Sequence, residues 1–366
     1  MDNRAYINTK RFCIMKKIVL TGGGTAGHVT PALALIPKLQ ELGYIIHYIG
    51  GSGIEKEIIQ KANSVTYHEI TTVKLRRSLT LKNLAIPFKL LKGISQSKKL
   101  LKQIKPGIVF SKGGFVAVPV GFAAHKLSIP LISHESDLTV GLANKLLLKK
   151  SQVMCTSFEI TAQNLENAFF TGTPIRKQLF NGKREIAMKM ARFEDSNKPC
   201  VLVMGGSLGA IAINKAVLDA LPELTETYNV VHIVGRGNLA DIKNNSYFQI
   251  EFTHEIEHFL ALSTIVVSRA GSNSINEFLA LQKPMLLIPL PLDASRGDQI
   301  LNAKEFEKQG YAMVLPQENV TKETLLGNIN TLYKKRNSYI IKMSKPRQDA
   351  TNTILQLIQK YDKSNK

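Results

Sequence analysis

The stretch TGGGTAGHVTPALAL, residues 21–35, follows the apolar run Lys17–Leu20 and leads into a helix-like pattern. This order of strand, glycine-rich turn and helix is typical of folds that bind phosphate groups. Glycine lets the backbone approach an anion closely, and the helix that follows offers free N–H groups and a favourable dipole. A single glycine cluster is a weak signal, because it fits a plain tight turn equally well.

A second glycine-rich turn, MGGSLGAIAIN at residues 204–214, repeats the pattern in the other half of the chain. The alternative for each turn is an ordinary connection between a strand and a helix. Two such turns in one chain instead favour two phosphate-like sites that face one cleft. The pair also argues against a single nicotinamide site.

Short apolar runs alternate with helical patterns along both halves. This alternation predicts an α/β fold with two doubly wound parallel sheets. We expect a tail or over-long start at residues 1–14, an N-terminal domain at 15–180, a C-terminal domain at 181–350 and, at 351–366, a helix that packs back on the N-terminal domain.

The composition is that of a folded globular protein, since 44% of the 366 residues are hydrophobic and 21% are charged. The net charge of +20 predicts attraction to polyanions. The three cysteines lack metal-ligand or redox spacing, which indicates a reducing cytoplasm. We find no apolar run of transmembrane length and no signal-peptide layout.

The segment from Ile70 to His134 contains no acidic residue. Its cations alternate with apolar side chains, as in a helix that lies at a membrane surface. We expect an anionic membrane as the partner, with nucleic acid as the alternative; the absence of Trp and the 7% aromatic content disfavour nucleic acid. The predicted membrane-surface residues are Lys74, Arg76, Arg77, Lys82, Phe88, Lys89 and Lys92.

Three residues have side chains suited to proton transfer. His28 ends the first glycine turn, where an imidazole can exchange a proton or contact a phosphate; a structural cap is the alternative. His134 and Glu135 end a predicted strand, but adjacent strand residues point to opposite faces. At least one of the two is therefore expected to hold the loop in place.

Other polar residues follow the strands of the second half. Glu277 is expected one turn into a helix, near the cleft, where it could accept ribose hydroxyls, although its position alone favours a solvated residue at a helix start. Asp298 and Gln299 lie in a loop where a sugar could bind, or they are loop and cap residues. No Asp-x-Asp triplet or metal-ligand cluster occurs in the sequence, so we expect neither a metal nor a cofactor.

Seven motifs together make the chain resemble the MurG family, within glycosyltransferase family 28. They are GGGTAGHVTPALAL, SKGGFVAVPV, HESDLTVGLANK, TGTPIR, MGGSLGAIAIN, SRAGSNSINEFLAL and SRGDQILNA, in that order. The resemblance implies a GT-B fold, in which two Rossmann-like domains enclose a cleft. It also implies an inverting, metal-independent transfer of GlcNAc from UDP-GlcNAc to the C4 hydroxyl of MurNAc in lipid I, which yields lipid II for peptidoglycan.

The same resemblance assigns roles to individual residues. In the donor half, Ser207 would meet the pyrophosphate, Arg176 and Asn214 would lie along the nucleotide, Thr253 would meet uracil through its backbone, Glu277 would accept the ribose hydroxyls and Gln299 would read GlcNAc. Gly24, His28 and Asn144 are the expected acceptor-binding residues, while Thr25, Ala26 and Gly27 would contact either the donor or the acceptor diphosphate. His28 is the first choice for the general base and Glu135 the second.

The motifs depart from the family pattern at two positions. HESD stands where many members have HEQN, and RGDQ stands where they have DRQQ, so Asp137 and Asp298 are acidic. The resemblance further implies a peripheral protein at the cytoplasmic face of the membrane, with the cell-wall and division machinery as partners. The alternatives are another GT-B enzyme, such as a diacylglycerol glycosyltransferase or a UDP-GlcNAc epimerase, or a non-catalytic peripheral membrane protein.

Overall fold

A computed structural model describes residues 16–62, 64–73, 86–206 and 209–365. Six of the residues that the sequence predicts to be functional are described only in part or not at all. Lys74, Arg76, Arg77, Lys82 and Ser207 are outside the described residues, as is the segment 1–14, and only the backbone of Ala26 is described.

The first domain is built on a seven-stranded sheet in which every neighbouring pair of strands is parallel. The strands are β1 (Lys17–Thr21), β2 (Ile45–Gly50), β3 (Val65–Glu69), β4 (Ile108–Ser111), β5 (Leu131–Glu135), β6 (Val153–Thr156) and β7 (Ala168–Phe170), in the order β3-β2-β1-β4-β5-β6-β7. Ile18 and Leu20 enter the core on one face of the sheet and Val19 the core on the other. A parallel strand covered on both faces needs such a continuous apolar run.

The second domain has a six-stranded sheet that is also fully parallel. Its strands are β8 (Cys200–Met204), β9 (Asn229–Ile233), β10 (Tyr247–Ile250), β11 (Ile265–Ser268), β12 (Met285–Leu287) and β13 (Ala312–Val314), in the order β10-β9-β8-β11-β12-β13. The predicted architecture of two doubly wound parallel sheets is confirmed.

Helices cover both faces of each sheet. In the first domain they are α1 (Thr30–Glu41), α2 (Ile54–Gln60), α3 (Ile86–Ile104), α4 (Ala117–Lys126), α5 (Leu142–Leu148) and α6 (Glu159–Gln163). The helices that follow along the chain are α7 (Arg184–Ala191), α8 (Ile211–Asp219), α9 (Leu221–Thr227), α10 (Ile256–Leu262), α11 (Ser272–Ala280), α12 (Asp298–Lys308), α13 (Lys322–Met343) and α14 (Ala350–Tyr361). No helix among the described residues is long and apolar enough to cross a bilayer.

The last helix, α14, returns to the first domain. Ile354, Leu355 and Ile358 are buried in the core beside β1. Beyond the helix, Asp362 accepts a hydrogen bond from the Tyr44 hydroxyl at 2.7 Å. The chain therefore joins the two domains twice, and the second connection is anchored by apolar packing and by a buried hydrogen bond.

Candidate active site

Both glycine-rich turns lie where the strand order of a sheet reverses. β1 pairs with β2 and β4, and β8 pairs with β9 and β11, so each turn leaves the carboxyl end of a central strand. Ligands of open α/β sheets bind in the crevice at this point. Gly24 has φ 85° and Gly206 has φ 90°, which side chains rarely tolerate. The topology thus places one candidate site on each domain.

The first glycine turn rests on a buried carboxylate that the sequence did not single out. Glu55, at the start of α2, accepts hydrogen bonds from the N–H groups of Gly24 and Gly51, both at 3.1 Å. A Cβ atom on Gly23 would lie 2.6 Å from the carboxyl carbon of Glu55. This packing fixes the shape of the turn. The only signal in the sequence is an acidic residue in the first turn of a helix, which is common on any surface.

His28 ends a short 3-10 helix, Ala26–His28, within the turn. Its Nδ1 lies 2.9 Å from Thr25 Oγ1. Burial of the ring is the main reason that the pKa of His28 is lowered to about 4, and the positive charges of Lys112 and Arg296 also lower it. The imidazole is therefore neutral at pH 7, and the nearby cations offer a suitable environment for a diphosphate.

A buried polar network lies behind the His28 turn. Lys112 is 1% exposed, and its ammonium group donates to His134 Nδ1 at 2.7 Å and to Ser136 Oγ. His134 Nε2 in turn donates to the carbonyl of Gly172 at 3.0 Å. Burial lowers the pKa of Lys112 to about 8. Both nitrogens of His134 are thus used within the protein, which gives this residue a structural role.

Glu135 is almost fully enclosed and holds the loop that follows β5. Its carboxylate accepts hydrogen bonds from the N–H groups of Asp137 at 3.0 Å and Gly141 at 2.9 Å, and from Asn144 Nδ2 at 2.9 Å. Three donors from its own loop and from α5 thus occupy most of the roughly four lone-pair sites of the carboxylate. These contacts favour a positioning role for Glu135 over that of a general base.

Asn144 is buried beside Gly113, in the glycine pair Gly113–Gly114 that follows β4. Its Nδ2 also donates to the carbonyl of His134 at 3.1 Å, whereas its Oδ1 has no hydrogen-bond partner in the part of the chain that is described. A Cβ atom on Gly113 would lie 3.1 Å from this oxygen. A buried acceptor without a partner carries an energetic cost, and a ligand hydroxyl is a suitable donor for it.

On the predicted donor half, Glu277 and Arg176 form an ion pair. Arg176 Nη2 and Nε donate to Glu277 Oε1 at 3.0 and 3.3 Å. Burial raises the pKa of Glu277, and the guanidinium group opposes this shift. Arg176 lies in the connection between the domains and Glu277 lies on α11. The structure therefore brings together two residues that the sequence placed separately along the nucleotide.

Asn214 and Thr253, two other predicted donor residues, make hydrogen bonds within the protein. Asn214 is buried, donates to the carbonyl of Val234 at 2.8 Å and accepts from His232 at 3.1 Å, so its amide supports the fold around the second glycine turn. Thr253 Oγ1 accepts the N–H of Glu255 at 2.9 Å.

The sequence prediction that Asp298 and Gln299 lie in a loop is wrong, because both lie in the first turn of α12. Gln299 and an exposed aromatic ring complete the predicted donor side. Gln299 Oε1 accepts the N–H of Leu290 at 3.1 Å, which fixes the orientation of its amide. Phe252, beyond the end of β10, is 47% exposed and was not predicted to be functional. An exposed aromatic ring beside Thr253 is suited to stacking on a base. A lone Phe after a strand gives no such signal in a sequence.

Asp137 and Asp298, the acidic residues at which the sequence departs from the family pattern, lie at the contact between the domains. Asn302 is fully buried, accepts the N–H of Leu138 at 2.9 Å and donates to Asp137 Oδ1 at 2.9 Å. Asp298 accepts the hydroxyl of Thr139 at 2.8 Å. Burial and the charge of Glu135 raise the pKa of Asp137 to about 6.

We expect Asp137→Asn to stabilise the protein at pH 8 by about 1 to 3 kcal/mol. The folded-state pKa of Asp137, about 6, lies above its ordinary value of 3.8, so the folded state loses stability as the pH rises from 3.8 through 6. Asparagine can still accept from Asn302 and carries no charge. Urea unfolding at pH 8 and pH 4 checks this, because the gain should disappear at pH 4. An equal gain at both pH values would contradict the electrostatic explanation.

Comparison with known proteins agrees with this geometry. Residues 18–156 match the N-terminal domain model of glycosyltransferase family 28, and residues 200–360 match the C-terminal domain model of the same family. The chain is 50% identical over 353 residues to the UDP-N-acetylglucosamine–N-acetylmuramyl-(pentapeptide) pyrophosphoryl-undecaprenol N-acetylglucosamine transferase of Clostridium tetani, covering 94% of this chain and 98% of the relative. The enzyme of the same name from Clostridium kluyveri is 51% identical over 354 residues, covering 95% and 100%.

A solved structure is similar over nearly the whole chain. The crystal structure of Acinetobacter baumannii MurG has a TM-score of 0.75 and 27% identity, and it covers 94% of this chain and 99% of that one. This likeness and the two parallel sheets confirm the predicted GT-B fold. Because both family domains match in order and the curated relatives align over almost their full length, the chain belongs to the MurG family of N-acetylglucosamine transferases, within glycosyltransferase family 28.

Proposed function

We propose that this protein transfers GlcNAc from UDP-GlcNAc to the C4 hydroxyl of MurNAc in lipid I, with inversion, to give lipid II for peptidoglycan synthesis. Membership of the MurG family supports this reaction. The geometric observation that carries it is the contact between the two sites, where Asn273 Nδ2 on α11 donates to the carbonyl of Gly27 at 2.9 Å. A residue of the donor half thus touches the turn that presents His28.

The donor half supplies groups suited to UDP. Glu277 accepts ribose hydroxyls in this proposal, and Arg176 both orients Glu277 and offsets negative charge on the nucleotide. In this proposal the start of α8, which follows the second glycine turn, offers backbone N–H groups to the pyrophosphate. These groups stabilise the charge that develops on the leaving UDP without requiring a metal.

The acceptor half supplies the proton acceptor. We assign to His28 the tautomer in which Nδ1–H donates to Thr25 Oγ1, so that Nε2 carries the free lone pair. Nε2 then takes the proton of the C4 hydroxyl as its oxygen attacks the anomeric carbon and the bond to UDP breaks. Holding the two sugars in line for this attack lowers the barrier by several kcal/mol. Asn144 is the proposed contact for the acceptor, through the Oδ1 that has no hydrogen-bond partner among the described residues.

The decisive assay measures UDP release from UDP-GlcNAc with and without a lipid I analogue, together with isolation of the disaccharide product. We expect release that depends on the analogue. Release that depends instead on diacylglycerol would identify a different GT-B transferase. Conversion of UDP-GlcNAc without any acceptor would identify an epimerase.

We also propose that the start of α3 rests on the cytoplasmic face of an anionic membrane. Phe88 is 76% exposed and Leu91 is 62% exposed, with Lys89 and Lys92 exposed between and beside them. Apolar side chains flanked by cations are typical of helices that lie at a lipid interface. Such a position would bring the cleft near a lipid-linked acceptor.

We predict that the protein floats with anionic vesicles at low salt and is released by high salt, because each cation near an anionic leaflet contributes about 1 kcal/mol. The double variant Phe88→Ser with Leu91→Ser should bind anionic vesicles at least tenfold more weakly. It loses roughly the free energy of burying an apolar side chain at the lipid interface. Ile341→Ser on α13 is the matched control, since Ile341 is 68% exposed on the other domain. Equal flotation with neutral and anionic vesicles would contradict the electrostatic part.

A further inference from the structure

Asn273 is a donor-half residue whose amide is held by two segments of the acceptor half. Its Nδ2 donates to the Gly27 carbonyl at 2.9 Å, and its Oδ1 accepts from Ser136 Oγ at 3.3 Å. Ser136 also accepts from the buried ammonium group of Lys112. The amide of Asn273 therefore connects the turn before His28 to the polar network behind it.

The same helix carries the proposed ribose ligand. Asn273 and Glu277 are four residues apart on α11, and residues with this spacing lie on one face of a helix. Glu277 is held by Arg176, as described above. Because a helix is rigid over one turn, a ligand that fixes Glu277 also fixes the direction in which Asn273 points.

We propose that Asn273 is a positioning residue that couples occupancy of the donor site to the orientation of the His28 turn. This inference rests on the proposed function, in which Glu277 binds the donor and His28 accepts the proton. Asn273 acts through the Gly27 carbonyl and touches neither reacting atom.

The start of α11 packs closely against two segments of the acceptor half, the turn at Gly27 and the loop after β5. A Cβ atom on Gly27 would lie 2.9 Å from Asn273 Nδ2, so the turn approaches the amide more closely than a residue with a side chain would allow. The neighbouring Ser272 donates from its hydroxyl to the carbonyl of Ser136, which holds the start of α11 against the loop after β5. If the amide is removed, the Gly27 carbonyl loses this donor. The peptide plane before His28 then keeps the hydrogen bond from the His28 N–H to the Thr25 carbonyl at 3.1 Å but is held less tightly.

Steady-state kinetics with UDP-GlcNAc and a lipid I analogue tests the proposal. We expect Asn273→Ala to lower kcat by about 10- to 100-fold, as small misplacements of a catalytic group do. The Kd for UDP without acceptor should stay within about twofold, since both ends of the amide are hydrogen-bonded to Ser136 and Gly27 of the acceptor half. Asn273→Asp should be slower still, because its carboxylate cannot donate and faces a carbonyl. Asn276→Ala is the control on the same helix, since its amide donates to the carbonyl of Ser272 within α11.

Hydrogen exchange provides a readout that does not require turnover. In the wild type, UDP should slow amide exchange across residues 22–28, and this protection should be lost in Asn273→Ala and kept in Asn276→Ala. An unchanged kcat in both Asn273 variants, or a loss of UDP affinity that parallels the loss of kcat, would overturn the proposal. Failure of the wild type to use the lipid I analogue, with the UDP-dependent protection intact, would instead reject the proposed acceptor and leave the coupling standing.

Discussion

Replacement of His28 by alanine is expected to lower kcat by about 10²- to 10⁴-fold, the usual contribution of a positioned general base. The imidazole lies at the turn that faces the donor half, and Thr25 Oγ1 orients it through Nδ1. Since His28 belongs to the acceptor half, the Kd for UDP should change by less than about twofold. Single-turnover transfer to a lipid I analogue and calorimetric titration with UDP measure the two quantities separately.

The matched control is His125→Ala, because His125 is an exposed histidine near the end of α4. It should leave kcat unchanged. Turnover at the wild-type rate in His28→Ala would reject His28 as the base. A parallel loss of UDP affinity would instead indicate that His28 binds the donor.

The pH dependence gives a second test of the same residue. Burial lowers the pKa of His28 to about 4, so the ring loses its lone pair only when the pH falls toward this value. The acidic limb of kcat/KM should therefore lie well below the ordinary histidine value of 6.5. An acidic limb near pH 6.5 would show that His28 is not neutralised by its surroundings in the free enzyme.

Glu277→Ala is expected to raise the KM for UDP-GlcNAc by about 10- to 100-fold, which corresponds to the loss of a hydrogen bond to a charged group. The substitution removes the proposed acceptor for the ribose hydroxyls and leaves Arg176 without its partner at 3.0 Å. kcat at saturating donor should change much less. Initial rates over a wide range of UDP-GlcNAc concentrations check both expectations.

Glu277→Gln should have an intermediate effect, since the amide keeps one acceptor oxygen but weakens the pair with Arg176. Glu223→Ala is the control, because Glu223 pairs with Lys322 at an exposed position where an ion pair contributes little. A KM for UDP-GlcNAc that is unchanged in Glu277→Ala would mean that the ion pair with Arg176 serves the fold alone.

Some features of the site follow from local sequence. The glycines at 22–24 and the apolar run before them specify a strand that ends in a tight turn, and the same pattern recurs at 204–210. Parallel strands buried on both faces require such runs, so the architecture could be predicted from their alternation with helices. The exposed Phe88 among lysines could likewise be anticipated, because a charge pattern on one helix is a local property.

The roles of the buried polar residues could not be predicted in this way. The sequence predicted that at least one of His134 and Glu135 holds the loop, but it did not show which loop and network contacts occupy each side chain. Glu55, which shapes the first turn, gives no sequence signal beyond its place in the first turn of a helix. The partners of these groups come from distant segments, and sequence spacing does not show which donors reach a carboxylate.

Runs of residues that act locally are enough to specify the two sheets, the two glycine turns at their centres and the family to which the chain belongs. The pairing of Arg176 with Glu277 and the contact from Asn273 to Gly27 arise instead from the packing of distant segments. Hydrogen bonds and ion pairs act over about 3 Å. Which groups come that close is determined by how the two domains pack, and no local pattern encodes that distance.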